Sequence, residues 1–171
     1  MLNIAKKGNH VTFITSNEDN YSNFLKFKKS SKLFLLENLN LVVIKILRFR
    51  TSRSIFRILS WLHFELKLFF LDKRQLSKPD IIIVSSLSLL TILNGIYLKK
   101  KYKCKLVFEI RDIWPLTLTA EGGFKNYNPF IIILSLIEKI GYIRSDFIVG
   151  TMPNLIEHVE SILGYKKPVS C

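Results

Sequence analysis

Short apolar runs alternate with longer amphipathic segments along most of this sequence. The clearest run covers residues 106–110, and its length and composition predict a strand in the middle of a parallel sheet. Further strands are predicted at residues 10–16, 41–47, 81–84 and 146–149. Helical spacing of apolar residues predicts helices at residues 54–73, 129–143 and 154–163. This alternation predicts an α/β fold, with a Rossmann-like, mostly parallel sheet flanked by helices.

Two segments depart from the alternation. Residues 17–40 are polar, rich in lysine and interspersed with aromatic residues, and they predict a loop or an irregular excursion. The chain opens in what resembles the last turn of a helix, at residues 2–7, with Gly8 as its stop. Because a doubly wound domain normally opens with a strand, we expect this single domain of 171 residues to lack its first strand.

Residues 81–98 carry no charge and reach the length of a minimal transmembrane helix. However, β-branched residues open the segment, and serines at 85, 86 and 88 and the pair Asn94-Gly95 interrupt it. We therefore expect a strand, a serine turn and a helix. Together with the strand at 106–110, these would form a right-handed βαβ unit.

The predicted helix at residues 54–73 carries two apolar stripes. The first has the spacing of a core-facing stripe and consists of Ile55, Leu59, Leu62, Leu66, Phe69 and Phe70. The second combines a cation with apolar and aromatic residues and consists of Arg57, Trp61, Phe64 and Leu68, with Arg53 just before the helix. Such a stripe fits an in-plane contact with a membrane surface, or packing against another domain or subunit. The charges of Glu65 and Lys67 disfavour a membrane span.

Positive charge is concentrated in the first part of the chain. The 26 Lys and Arg residues outnumber the 13 Asp and Glu residues, so the net charge is +13. Up to Lys105 there are 20 basic and 6 acidic residues, whereas 6 basic and 7 acidic residues follow. This asymmetry predicts a surface that faces lipid head groups, a sugar diphosphate or nucleic acid. Nucleic acid is the least favoured, because the lysines are not interleaved with stacking aromatics and no recognition motif occurs.

Candidate binding residues follow three of the predicted strands. Ser85 and Ser86 follow one strand, Arg111 and Asp112 the next, and Thr151 the last. These residues would share the carboxyl edge of the sheet, where open α/β sheets bind ligands. An arginine and a carboxylate at that edge suit the binding of phosphate or of sugar hydroxyls. The alternative is that Arg111 and Asp112 form a helix-start salt bridge, while Trp114 fills a space in the core.

The residues assign no catalytic group, metal site or bound cofactor. His10, His63 and His158 lack metal-ligand spacing, and Cys104 and Cys171 form no Cys-x-x-Cys motif. No P-loop or nucleophile elbow is present. The opening residues show no signal peptide, and the cysteine usage is typical of a reduced, cytosolic setting.

The segment Phe108-Glu-Ile-Arg-Asp-Ile-Trp-Pro115 resembles the N-terminal half of bacterial family 4 glycosyltransferases. It is most similar to the amino-sugar and fucosamine transferases of O-antigen and capsule assembly. Residues 5–15, 78–86 and 142–149 support this resemblance by their order and spacing. The Arg-Asp-Ile-Trp-Pro element is its most specific part.

The resemblance implies a GT-B fold, in which two Rossmann-like domains face each other across a cleft. Such enzymes transfer a sugar from a nucleotide sugar to a lipid-linked saccharide, with retention of configuration and without a metal. The N-terminal domain holds the acceptor and is peripheral on the cytoplasmic face of the cell membrane. Carried over, Arg111 and Asp112 would line the acceptor side of the cleft, and Trp114 and Pro115 would shape its wall. Many relatives have histidine where Arg111 stands, so a histidine-type catalytic role is not carried over.

The sequence also departs from the family pattern. The first strand with its glycine-rich turn and the donor-binding C-terminal domain are not found in it. We therefore expect a chain that is inactive alone, either a truncated product or a subunit that pairs with a separate donor-domain chain. The alternatives are a non-catalytic basic protein that binds a membrane surface or nucleic acid, and a non-functional remnant.

Overall fold

The computed structural model describes residues 2–16, 31–36, 38–46, 55–73, 76–86, 88–120, 125 and 127–171. Its parallel strands are flanked by helices, which confirms the predicted α/β, Rossmann-like fold class. The chain folds into two compact units, Met1–Ser77 and Lys78–Cys171, called unit 1 and unit 2 below.

Unit 1 contains a three-stranded sheet with the order β1-β3-β2. Its elements are α1 (Leu2–Lys6), β1 (Val11–Ser16), β2 (Ser31–Leu36), β3 (Leu39–Ile44) and α2 (Ile55–Phe69). Strand β1 is parallel to β3, whereas β2 is antiparallel to it. Gly8, predicted to stop the first helix, follows α1 with a φ of 85°, a left-handed conformation that glycine adopts without strain.

Strand β2 contradicts the prediction of an irregular excursion at residues 31–36, while residues 17–30 and 37 lie outside the described residues. The apolar residues of β2 are consecutive rather than alternating, so the sequence carries no strand period there. Residue-by-residue pairing with β3 makes this segment a strand. This tertiary contact overrides weak local propensity.

The side of α2 that faces the core of unit 1 differs from the prediction. Phe64 and Leu68 pack with Ile44 and Ile46 in a buried cluster. The predicted core stripe is exposed at its described positions, which are Leu59, Leu62, Leu66, Phe69 and Phe70. Leu68 is 6% exposed, so it does not offer the predicted lipid contact, whereas Phe64 is half-buried and its lipid contact stays a prediction. Both sides of α2 are apolar, so helical spacing alone does not indicate which side meets the sheet.

The other predicted lipid-contact residues are Trp61, Arg57 and Arg53, and the structure does not test their contact with lipid. Trp61 is half-buried. Arg53 and the side chain of Arg57 lie outside the described residues. The Lys67 ammonium donates a 2.6 Å hydrogen bond to the carbonyl of Lys45, which ties α2 to the chain just after β3.

Unit 2 is a four-stranded parallel sheet in which the strand order β4-β5-β6-β7 is also the chain order. Its strands are β4 (Ile81–Ser85), β5 (Lys105–Ile110), β6 (Phe147–Gly150) and β7 (Val169–Ser170). Its helices are α3 (Thr91–Tyr102), α4 (Leu116–Ala120), α5 (Pro129–Arg144) and α6 (Leu155–Leu163). The uncharged segment 81–98 is thus a strand followed by a helix, as predicted. Among the described residues, no helix is both long and apolar enough to cross a membrane.

One face of the unit 2 sheet carries the core. Leu106, Phe108 and Ile110 alternate along β5 and are at most 2% exposed. Helices α3, α5 and α6 cover this face, and Gly141 brings α5 so close that an added Cβ would lie 2.9 Å from Phe108 Cε1. On the other face, Ile81, Ile83 and Phe147 are exposed. Burial of each large core side chain stabilises the unit by roughly 1.5–3 kcal/mol.

Candidate functional site

The carboxyl ends of β4, β5 and β6 meet at one edge of the unit 2 sheet. Ser85 pairs with Glu109, and Ile110 pairs with Gly150. The residues that follow these strands therefore leave the sheet at the same edge. This is the edge at which open parallel sheets bind their ligands.

Ser86 holds the turn that follows β5. It is completely buried, and its backbone N–H donates a 2.8 Å hydrogen bond to the carbonyl of Glu109. Its hydroxyl oxygen accepts hydrogen bonds from the backbone N–H groups of Arg111 (2.8 Å) and Asp112 (3.4 Å). Ser86 was predicted to line a binding cleft. The structure gives its hydroxyl a positioning role, because these bonds fix where the next two side chains begin.

Arg111 and Asp112 project from this fixed turn, and both side chains are exposed. Within the described part of the chain, neither side chain forms an ion pair or a hydrogen bond. The alternative of a salt bridge between them is therefore not what the structure shows. A guanidinium and a carboxylate on a rigid backbone suit an anionic group beside a hydroxyl-bearing group.

Two further serine hydroxyls in the turn between β4 and α3 lack partners. The Oγ atoms of Ser85 and Ser88 are buried, and no hydrogen-bond partner for either occurs among the described residues. Leaving a buried hydroxyl unsatisfied costs roughly 1–3 kcal/mol. Helix α3 then begins after Leu90, which provides no side-chain cap. Ser88 was not among the predicted site residues, and its only signal in the sequence is its place in the serine run.

The remaining predicted site residues divide between core and surface. Trp114 is half-buried and packs against the main core of unit 2, and Pro115 is buried. The peptide bond between them is cis. Thr151 is exposed directly after β6. Of the predicted site residues, those whose exposed side chains lie at this edge are Arg111, Asp112 and Thr151.

The opposite, amino edge of the sheet is organised around Asp146. Its Oδ2 accepts 2.8 Å hydrogen bonds from the backbone N–H of Leu106 and from the Lys99 ammonium. Lys105 lies 3.6 Å from Oδ1. Burial acts to raise the pKa of Asp146, but the bonds from Lys99 and Leu106 outweigh it and hold that pKa below its ordinary value. Asp146 thus joins the start of β6 to β5 and to the last turn of α3.

A buried polar cluster joins α5 to α6. Glu138 is 3% exposed, and its Oε1 accepts a 2.9 Å hydrogen bond from the Tyr142 hydroxyl and lies 2.8 Å from His158 Nε2. Burial, the nearby charge of Glu138 and the bond to it raise the pKa of Tyr142 far above its ordinary value. The Lys167 ammonium donates to the carbonyls of Tyr142 and Ile143, at the end of α5. These contacts bind helices together rather than forming an accessible site.

Metal binding has no support in the described ranges, where no group of three His, Cys, Asp or Glu side chains could hold an ion. Cys104 is half-buried, and burial raises the pKa of its thiol. A thiol that is protonated in this way is a weak nucleophile.

No family model matches the chain, and no curated protein matches it. The chain is similar to the solved G-domain of FeoB from Methanococcus jannaschii at 14% identity, with a TM-score of 0.23. That alignment covers 92% of this chain and 82% of the G-domain chain. A solved variant of SsGBP is similar at 11% identity and a TM-score of 0.24, covering 94% of this chain and 58% of the other. With TM-scores this low, neither similarity carries a functional argument.

Proposed function

We propose that the carboxyl edge of unit 2 binds a saccharide acceptor linked to a lipid diphosphate, as the acceptor half of a GT-B glycosyltransferase. The observation that carries this proposal is the turn after β5. Ser86 fixes its backbone, and Arg111 and Asp112 extend from it into solvent. The resemblance of residues 108–115 to family 4 glycosyltransferases supplies the chemical class of the ligand.

In this proposal the two exposed side chains have different roles. The Arg111 guanidinium pairs with diphosphate oxygens, because its planar fork of donors matches their geometry. The Asp112 carboxylate accepts hydrogen bonds from sugar hydroxyls, and Thr151 offers a further hydroxyl from the end of β6. The nucleotide-sugar donor would be held by a second Rossmann-like domain, and transfer would be metal-free and retaining.

The proposal is tested by the fluorescence of Trp114, which lies two residues after Asp112. The chain has two tryptophans, so the variant Trp61→Phe isolates the emission of Trp114. In that background, the chain is titrated with an amino sugar linked to a short-chain polyprenyl diphosphate. We expect a saturable change in emission, weakened about tenfold or more by Arg111→Ala, because a hydrogen bond to a charged group contributes about 1.5–3 kcal/mol.

The matched control is Lys100→Ala, which removes an exposed cation from the last turn of α3, near the amino edge. This variant should bind the ligand as the parent does. Equal weakening by both variants, or no saturable change, would contradict the proposal. If inorganic pyrophosphate binds as tightly as the lipid-linked sugar, the edge is a general anion site and does not recognise the saccharide.

A further inference from the structure

The unit 2 sheet has one face that lies opposite its core, called the open face below. The helices that the structure describes in unit 2, α3 to α6, all place residues in or against the core cluster on the other side. Right-handed crossovers between strands that follow one another in chain order put their helices on one face, which explains this arrangement. Parallel sheets are normally covered on both faces. The open face is therefore a surface to which a partner can bind.

Strand register joins apolar residues of the open face into one continuous row. Ile83 pairs with Val107, and Val107 pairs with Phe147. Neighbouring strands lie about 4.8 Å apart, so residues paired in this way stand side by side on the same face. Ile83 and Phe147 are 48% and 39% exposed, and Ile81, two residues before Ile83, is 59% exposed. A contiguous apolar patch of this kind marks an interaction surface.

Two opposite charges flank this row on β5. Lys105 lies two residues before Val107 and Glu109 two residues after it, so all three point to the open face. The Lys105 side chain is 75% exposed, although its ammonium lies 3.6 Å from Asp146 Oδ1. Glu109 is half-buried, and its carboxylate forms no ion pair or hydrogen bond in the part of the chain that the structure describes. A carboxylate in this position is stabilised by a cation on the surface that covers it.

We propose that the open face binds the open face of a second copy, with the strands of the two sheets running in opposite directions. A twofold axis along the apolar row and through Val107 makes the row meet itself, and it sets Lys105 of each copy over Glu109 of the other. The two sheets then form an aligned sandwich with a spacing of about 10 Å. The parallel arrangement would instead set Lys105 over Lys105 and Glu109 over Glu109, which like-charge repulsion disfavours.

Charge also decides between a second copy and other occupants. Lipid head groups and nucleic acid are anionic and would leave Glu109 without a cation, whereas a second copy brings Lys105 to it. The open face is therefore complementary to itself in shape, apolar character and charge. The proposal concerns the face of the sheet and does not depend on the proposed acceptor site at its carboxyl edge.

Sedimentation velocity of the full chain over a range of concentrations tests this proposal. We expect the parent to show a monomer–dimer equilibrium. Lys105→Glu and Glu109→Lys should each weaken the dimer about tenfold or more, because each sets like charges against each other twice. An equimolar mixture of the two variants should restore the dimer, because both contacts are then between opposite charges.

The apolar contribution is measured with the double variant Ile83→Ser and Phe147→Ser, which should weaken the dimer about tenfold or more by removing apolar area from the row. Lys100→Glu and Glu157→Lys are the matched controls, because both side chains are exposed on helices that cover the core face. Neither control should change the dissociation constant of the dimer.

Two other effects of the chemistry are controlled separately. Lys105→Glu also removes the contact with Asp146, so urea unfolding is used to establish that each variant is folded. Glu109→Lys and the double serine variant do not touch that contact and test the open face without it. Cys171 is exposed, so all samples contain a reducing agent that excludes a disulfide-linked dimer.

Each contrary outcome overturns the proposal. A monomer at every concentration would leave the open face without a second copy, and a dimer that the open-face variants leave intact would place the contact elsewhere. Failure of the mixed charge variants to associate would contradict the antiparallel arrangement. A monomer that binds vesicles of phosphatidylcholine and phosphatidylglycerol through Ile83 and Phe147 would assign the face to lipid.

Discussion

Glu138 and His158 join α5 to α6 through a 2.8 Å contact between Oε1 and Nε2. The carboxylate is almost completely buried, and the imidazole shields it from the side of α6. Burying a carboxylate costs free energy unless it is hydrogen-bonded, so we expect the contacts at Oε1 to stabilise the packing of α5 on α6.

Replacing His158 by alanine should therefore destabilise unit 2. The variant leaves Glu138 with the Tyr142 hydroxyl alone, and the lost bond to a buried charged group should lower the free energy of unfolding by about 1.5–3 kcal/mol. Urea unfolding followed by Trp114 emission in the Trp61→Phe background reports on unit 2. His10→Ala removes an exposed imidazole and is the control. If both variants unfold at the same urea concentration, the contact contributes no stability.

The serine turn after β4 allows a comparison of two neighbouring hydroxyls. Ser86→Ala removes the acceptor for the N–H groups of Arg111 and Asp112, which should cost about 1–3 kcal/mol of stability and weaken acceptor binding. Ser88→Ala removes a buried hydroxyl that has no hydrogen-bond partner among the described residues, so it should be neutral or slightly stabilising. Both are measured by urea unfolding and by ligand titration. The reverse order of effects would show that Ser86 does not hold the turn.

Most of unit 2 could be predicted from the sequence because its signals are local. Residues 81–84 and 106–110 are apolar runs with clear breakers beside them, and Gly164 ends α6 in a left-handed conformation. The role of Ser86 could not be predicted, since its bond to Arg111 joins residues 25 positions apart. The pairing of Glu138 with His158 likewise depends on how α5 and α6 pack.

The packing of α3 on the sheet can be tested through Gly95. A Cβ at this position would lie 2.5 Å from Val84 Cγ2 and 3.1 Å from Leu106 Cδ1. Alanine gains about 1 kcal/mol in helix propensity, but overpacking costs about 1–3 kcal/mol, so we expect a net loss for Gly95→Ala.

Val84→Ala removes the nearest methyl group and supplies a double-mutant cycle with Gly95→Ala. The two substitutions should couple favourably by about 1 kcal/mol, because Val84→Ala makes room for the methyl group that Gly95→Ala adds. Free energies from urea unfolding of the parent, both single variants and the double variant give the coupling. Strict additivity would mean that the two side chains do not meet.

The low pKa of Asp146 predicts how unit 2 responds to acid. Because its folded pKa lies below that of the unfolded chain, the carboxylate contributes its full stabilisation above about pH 4. That contribution is lost as the pH falls through the folded pKa, since the unfolded state then binds the proton more readily.

Asp146→Asn should be less stable than the parent at neutral pH and should lose less stability between about pH 6 and about pH 3. Urea midpoints across that range measure both effects, with Asp80→Asn as the exposed control. If the urea midpoints of the parent and Asp146→Asn fall equally as the pH is lowered, Asp146 does not contribute to the loss of stability in acid.

The match between chain order and strand order in unit 2 also has a kinetic consequence. Each of β5, β6 and β7 pairs with the strand that precedes it in the sequence, so every strand leaves the ribosome after its partner on one side. The paired residues lie 21 to 40 positions apart, and parallel pairing over such separations is slow because loop-closure entropy is lost before the contacts form. The strand order nevertheless allows each new strand to add to the edge of a sheet that is already present, from β4 onward, in the order in which the ribosome releases the chain.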